Sequence, residues 1–104
     1  MLGEALRLIR VFHDVKLNEL AEQLNVSKGY ISEIESQKKK PSLDLIEKYS
    51  KRFKISTSAI MLFSEELDKD RSDLKIGIRN KILKFLQIVE HITINNDVEK
   101  QFFI

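Results

Sequence analysis

Hydrophobic residues recur along this chain with the period of an α-helix, and few residues interrupt the pattern. The first such run predicts an amphipathic helix from about Gly3 to His13. Its inward stripe is expected to be Leu2, Ala5, Leu6, Ile9 and Phe12. Because the chain has only three Gly and one Pro, this periodicity predicts an all-α protein.

Two short helices separated by a three-residue turn are predicted next, between Leu17 and Glu35. Their inward residues are Leu20, Ala21 and Leu24 in the first helix and Ile31 and Ile34 in the second. Asn25 suits the left-handed conformation that ends a helix, and Ser27 can N-cap the helix that follows. This pattern predicts a helix-turn-helix, whose second helix, here called the reading helix, enters the major groove of DNA.

Several residues around this motif occur together in a known family. They are Arg10, Glu19, Leu20, Ala21, Val26, Ser27, Ile31, Ser32, Glu35, Pro41 and Ser42. Because of these residues, the segment from Gly3 to Phe63 resembles the Cro/CI-type (Xre-like) transcriptional regulators. The sequence of its helix-turn-helix is close to that of SinR-like regulators. The resemblance implies a five-helix, lambda-repressor-like DNA-binding domain. Two positions differ: Leu17 stands where the family often has Gln, and Gln37 where it usually has Gly.

The outward face of the reading helix is predicted to contact bases or the groove, because Ile31 and Ile34 look inward. The residues expected there are Ser27, Lys28, Gly29, Tyr30, Ser32 and Glu33. Lys28 can donate to guanine O6 and N7, and Glu33 can accept from cytosine N4. The two serines, by contrast, are expected to bond phosphate.

Three of these residues have a second interpretation. In the second interpretation, Glu33 contacts no base and only excludes unsuitable sequences, because its carboxylate repels phosphates. Gly29 either allows a close approach to base edges or is simply tolerated near a helix start. Tyr30 either packs beneath the helix or presents its hydroxyl to a phosphate.

A further set of residues is predicted to meet phosphate groups: Lys16, Asn18, Lys38, Lys39, Lys40 and Ser42. The three consecutive lysines, here called the lysine loop, follow directly after the reading helix, where the DNA backbone would pass. The alternative interpretation is that the three lysines are simply solvated and contact no phosphate. Ser42 can cap the next helix, whose free amides could hold a phosphate.

Arg10 and Glu35 are expected to form a structural ion pair. The family resemblance implies it, since an Arg at this position reaches the Glu that closes the reading helix. Such a pair would tie the first helix to the third. The alternative places Arg10 on a phosphate.

The chain divides into three predicted parts: a helix-turn-helix DNA-binding domain at 1–64, a charged linker at 65–72 and a C-terminal helical dimerisation region at 73–104. The inner residues that close the domain are expected to be Leu45, Ile46, Tyr49, Phe53, Ile60 and Phe63. A long helix from Asp73 to Ile92 has apolar residues on two opposite sides. One side would dock on the chain itself, and the other would be left for an identical chain or another protein. The residues predicted for dimerisation are Leu74, Ile76, Ile78, Ile82, Leu83, Phe85, Leu86, Val89 and Ile92.

Charge and composition narrow the classes of function. The net charge is only +2, but residues 1–56 carry eleven Lys or Arg against eight Asp or Glu, while residues 57–104 carry seven against eight. The basic excess therefore lies on the side of the motif. With no Cys, two isolated His and no Gly-rich phosphate loop, the sequence predicts no enzyme, no metal site and no cofactor.

No apolar run approaches the roughly 20 residues of a membrane span, and no signal peptide opens the chain, so we expect no membrane partner. The absence of Cys fits a cytoplasmic location, and the resemblance to the Cro/CI-type regulators implies a prokaryotic or phage origin. The hypothesis is a dimeric repressor that binds a palindromic operator in double-stranded DNA. The alternative is an antitoxin-like or anti-regulator module that keeps the fold and binds another protein.

Overall fold

Five α-helices make up residues 1–69 in a computed structural model, which describes residues 1–69, Leu83 and residues 85–88. The helices are α1 Leu2–Phe12, α2 Leu17–Leu24, α3 Lys28–Glu35, α4 Leu43–Phe53 and α5 Thr57–Lys69. Leu83 and residues 85–88 are helical as well, and none of the described residues lies in a strand. The prediction of an all-α protein with a helix-turn-helix, formed by α2 and α3, is confirmed.

The helix ends follow from short polar side chains in the sequence. Asn25 has φ 56° and ψ 45°, the left-handed conformation predicted for the end of α2. Ser27, Ser42 and Ser56 precede α3, α4 and α5, and each hydroxyl accepts the backbone N–H three residues on, at 3.0, 3.2 and 3.1 Å. These caps fix where each helix begins, and therefore where the reading helix α3 starts.

The core lies where the apolar faces of all five helices meet. Every inward residue predicted for the two motif helices and for α4 is buried, and so are Ile60 and Phe63. In α1 the prediction was partly wrong, since Phe12 is 41% exposed and Leu8, which was not predicted, is buried. The reason is that α1 packs against both α3 and α5, so its buried face is wider than one stripe.

Gly3 marks the closest approach of α1 to the reading helix. A Cβ at this position would lie 2.2 Å from the backbone carbonyl oxygen of Ile34, a distance that no side chain can tolerate. The lack of a side chain at Gly3 therefore lets α1 lie directly against the last turn of α3. This contact helps to set the orientation of the reading helix.

The fifth helix continues beyond the predicted end of the domain. Residues 65–69 of the predicted 65–72 linker belong to α5, and Leu67 among them is buried. Because Leu67 is the apolar residue in an otherwise charged stretch, packing its side chain on the core carries the helix one turn further. The rest of the predicted linker lies outside the described residues.

Phe85 and Ile88, from the C-terminal region, pack on the domain itself. Phe85 is 3% exposed, with its ring centroid 4.9 Å from that of Phe63 and 5.3 Å from that of Phe12. The role of Phe85 in dimerisation stays a prediction, and in the single chain its ring packs against two aromatic rings of its own domain. Leu83 and Leu86 are exposed. The other predicted dimerisation residues and the 93–104 tail lie outside the described residues.

Within the part of the chain that the structure describes, no helix combines the length and the apolar character that crossing a membrane requires.

Candidate nucleic-acid interface

The reading helix α3 has one face in the core and the other in solvent. Ile31 and Ile34 are fully buried, while Ser27, Lys28, Gly29 and Ser32 are exposed on the opposite side. The eight-residue helix therefore presents the predicted base-contacting residues together on one surface.

Two residues at the edge of this face are partly covered. Tyr30 packs partly against the core, as its packing interpretation requires. Glu33 is partly exposed, and its carboxylate is engaged by a neighbour described below.

Gly29 faces open space. A Cβ built at this position has no atom of the protein within 4 Å. Packing within the chain therefore gives no reason for Gly here, and both interpretations from the sequence, close approach to DNA and tolerance near a helix start, stay open.

The lysine loop folds back onto the end of the reading helix. Gln37 has φ 68°, in the left-handed region, which reverses the chain after α3. The backbone amides of Lys38 and Lys39 then donate to the carbonyl oxygen of Glu33 at 2.9 and 3.2 Å. Lys38, Lys39 and Lys40 are all exposed. The loop thus places three exposed lysines directly after the end of the helix.

Glu33 and Lys39, both predicted to contact DNA, contact each other. The Lys39 Nζ lies 3.0 Å from Glu33 Oε2. This pair could not be predicted from the sequence, because the two residues are six positions apart across a turn and no helical spacing relates them. Only the left-handed residue between them brings their side chains together.

Arg10 and Glu35 lie together under the reading helix. The Arg10 Nε donates to both carboxylate oxygens of Glu35 at 3.0 Å, and a terminal nitrogen donates to Oε1 at 2.8 Å. A second terminal nitrogen of Arg10 donates to the Val15 carbonyl at 2.9 Å. The Arg10 and Glu35 side chains are 14% and 5% exposed. This geometry places the pair inside the domain, between α1 and α3.

Tyr49, from α4, completes this cluster. Its hydroxyl donates to Glu35 Oε2 at 2.8 Å, and the residue is fully buried. Burial, and secondarily the negative charge of Glu35, raise the pKa of Tyr49 far above its usual range, so the hydroxyl keeps its proton and remains a donor. The sequence marked Tyr49 only as an inward residue, because nothing in its spacing points to Glu35.

With this geometry established, comparisons with known proteins identify the family. Residues 6–60, more than half of the 104-residue chain, match a family model described as helix-turn-helix (HTH_3). The chain belongs to this family. Its members are DNA-binding regulators of the Xre, or Cro/CI, type, so the resemblance found in the sequence is confirmed.

One solved structure also matches. A SinR protein/SinI protein complex superposes with a TM-score of 0.55 and 24% sequence identity, covering 89% of this chain and 98% of that chain. At this level of identity the similarity shows the shared fold. A search of curated proteins gave no match.

The helix-turn-helix places the start of α2 next to the reading helix. Leu17 is partly buried against the core, and with Ser32 and Ser36 it lines a surface groove of about 390 Å³ to which Arg7 and Arg10 of α1 also contribute. Lys16 and Asn18, on either side of Leu17, are exposed. The first turn of α2 has no side-chain cap, so its backbone amides are free to meet a phosphate.

Proposed function

We propose that this helix-turn-helix protein is a sequence-specific transcriptional regulator that binds double-stranded DNA through the outer face of α3. The observation that carries the proposal is the exposed surface of Lys28, Gly29 and Ser32 on a helix whose opposite side is fully buried. A helix whose apolar side is buried in the core and whose polar side is exposed can present that polar side to the major groove.

The two predicted groups of contacts have different roles in this proposal. Lys28 would read a base, since an ammonium at the start of the reading helix can reach guanine O6 and N7. Lys38, Lys39 and Lys40 would meet phosphates, as would Lys16, Asn18 and Ser42. The phosphate contacts would set the register of the protein on the duplex and supply most of the salt-dependent affinity.

The regulator is further proposed to act as a homodimer. One reading helix recognises only a few base pairs, which is too few to select an operator within a genome. The C-terminal region offers the required surface, because Leu83 and Leu86 remain exposed while Phe85 anchors the segment on its own domain. A two-fold dimer would space its reading helices about 34 Å apart, bind a palindrome with half-sites ~10 bp apart, and repress by excluding polymerase in the cytoplasm.

Selection of bound fragments from a random duplex library by the full-length protein tests this function. We expect enrichment of one palindromic sequence. Sedimentation of the full chain at micromolar concentration tests assembly, and a single monomeric species with no concentration dependence would contradict the dimer.

A salt titration tests the lysine loop. Replacing Lys38, Lys39 and Lys40 by Gln should reduce the slope of log affinity against log salt by about 0.9 for each lysine that meets a phosphate. The matched control removes the same charge from α4 and its C-cap, which lead away from the groove, as Lys48→Gln, Lys51→Gln and Lys54→Gln. An equal change in both triple variants would contradict a specific role for the loop.

A second candidate function is a protein-interaction module that retains the fold. Leu17 favours it, because this side chain offers no hydrogen bond where the family often has Gln. The similar solved structure holds a SinR protein together with a SinI protein, so the fold is compatible with a protein partner. Absence of duplex binding, with tight association through residues 73–104, would favour this function over the first.

A further inference from the structure

The ion pair between Glu33 and Lys39 lies where the reading helix meets the lysine loop. The two side chains are 44% and 59% exposed, so the pair is accessible to DNA. Glu33 Oε2 is nevertheless closed off from solvent and accepts no well-aligned hydrogen bond, although the Lys39 Nζ lies 3.0 Å away. The ammonium of Lys39 therefore covers this oxygen and compensates its charge.

The backbone sets up this pair before any DNA arrives. The Glu33 carbonyl accepts the amides of Lys38 and Lys39 at 2.9 and 3.2 Å and the hydroxyl of Ser36 at 3.3 Å. With Gln37 in the left-handed conformation, these bonds hold the loop against the last turn of α3. The position of Lys39 is thus fixed relative to the helix residue that it neutralises.

Lys38 and Lys40 differ from Lys39 in this respect. Among the described residues, neither forms an ion pair, although both are exposed in the same loop. In the free protein their charges are available to any phosphate, whereas the charge of Lys39 is already occupied. The three lysines are therefore not equivalent toward DNA.

We propose that the Glu33–Lys39 pair couples a phosphate contact to base recognition. This inference rests on the proposed function. When α3 enters a groove that presents a base amino group, such as cytosine N4, the Glu33 carboxylate accepts from the base and releases Lys39 to a phosphate. At other sequences, opening the pair leaves a carboxylate near phosphates without a donor, so the pair stays closed and the Lys39 contact is not made.

The size of the effect follows from the exposure of the pair. Exposed ion pairs change an equilibrium by roughly two- to fivefold. Glu33 and Lys39 therefore adjust the preference of the protein in a graded way, while Lys38 and Lys40 supply affinity for any sequence.

The test uses the full-length protein and a random-sequence duplex, with binding measured by fluorescence anisotropy over a range of salt. Glu33→Gln should raise the affinity for random duplex by roughly two- to fivefold and steepen the salt slope by about 0.9, since Lys39 is freed to meet one phosphate. In a Lys39→Gln background, Glu33→Gln should leave the slope unchanged. Glu47→Gln, an exposed α4 residue, is the control for net charge and should leave the slope unchanged in either background.

The outcomes separate this inference from the proposed function. If Glu33→Gln has the same effect on affinity and slope with and without Lys39, Glu33 acts only by repulsion and the coupling is overturned while DNA binding stands. If the wild-type protein binds no duplex at any salt concentration, both are overturned. Thermal melting of each variant checks that the domain remains folded, and Lys39→Ala repeats the test with a shorter side chain.

Discussion

Glu35→Ala removes the carboxylate that Arg10 and Tyr49 share beneath the reading helix. In the folded protein this carboxylate accepts three hydrogen bonds from Arg10 and one from Tyr49, at 2.8–3.0 Å. Alanine leaves a guanidinium and a buried hydroxyl without their acceptor. We expect a large loss of stability with little change in the preferred DNA sequence.

The magnitude can be worked from the geometry. Deleting one partner of a buried ion pair costs about 3–5 kcal/mol. Arg10 keeps its bond to the Val15 carbonyl and is 14% exposed, which favours the lower end, about 3 kcal/mol. The Tyr49 hydroxyl, stranded in the core, adds about 1 kcal/mol. The expected loss of about 4 kcal/mol is a large part of the stability of a small domain.

Guanidinium chloride unfolding of the full chain, followed by circular dichroism, measures this loss. Arg10→Met combined with Glu35→Leu should recover most of it, because replacing a whole buried pair by apolar residues is close to neutral. The control is Lys48→Ala, which removes an exposed pair with Asp44 at 3.6 Å and should cost less than about 0.5 kcal/mol.

Two results would refute this reasoning. Wild-type stability in the Glu35→Ala protein, together with lost DNA binding, would place Arg10 or Glu35 in the interface instead of the interior. A double variant as unstable as the single one would show that the cost comes from lost packing and not from a stranded charge.

Three further changes test other parts of the structure. Gln37→Gly should raise the free energy of unfolding by about 0.5–1 kcal/mol, because φ 68° is strained for Gln. The control, Glu47→Gly inside α4, should lower it by up to about 1 kcal/mol. Destabilisation by both substitutions would contradict the strain at Gln37. Because burial raises the pKa of Tyr49 well above its ordinary 10.0, the unfolded chain loses that proton first, so stability should fall as pH rises above 10. Above pH 10, Tyr49→Phe should reduce the fall in the free energy of unfolding by up to about 1.4 kcal/mol per pH unit, as measured by denaturant titrations. An unchanged pH dependence would show that the raised pKa of Tyr49 is not its cause. In the same assay, Phe85→Ala should lower the free energy of unfolding by about 3–5 kcal/mol and Leu86→Ala by less than about 1 kcal/mol. The reverse order would contradict the packing of Phe85 on its own domain.

Local features of the fold could be predicted from the sequence. The inward positions of the motif follow from helical periodicity, since burying one face requires apolar residues three and four positions apart. The helix boundaries follow from Asn25, Ser27 and Ser42, because their side chains hydrogen-bond nearby backbone groups or tolerate the left-handed conformation. The resemblance to the Cro/CI-type regulators then gave the order of the helices.

Long-range contacts could not be predicted from the residues alone, and the Arg10–Glu35 pair was expected only because the family resemblance implies it. Tyr49 is fourteen positions from Glu35, and only the folded arrangement of α3 and α4 brings their polar atoms together. Leu8 is buried because α1 has two neighbours, which its own periodicity does not reveal. The helical spacing of Phe85 suggested a surface for a partner, and it does not reveal that the Phe85 ring lies against the rings of Phe12 and Phe63.

The central claim, that the outer face of α3 reads bases, is tested most directly at Lys28. The measurement is the affinity of wild-type and Lys28→Ala full-length protein for the selected operator and for every single-base variant of one half-site. The account predicts a loss of about 1–3 kcal/mol at the preferred site, with discrimination lost at one base pair and kept at the others. A uniform loss across all sequences would contradict it and make Lys28 a phosphate contact.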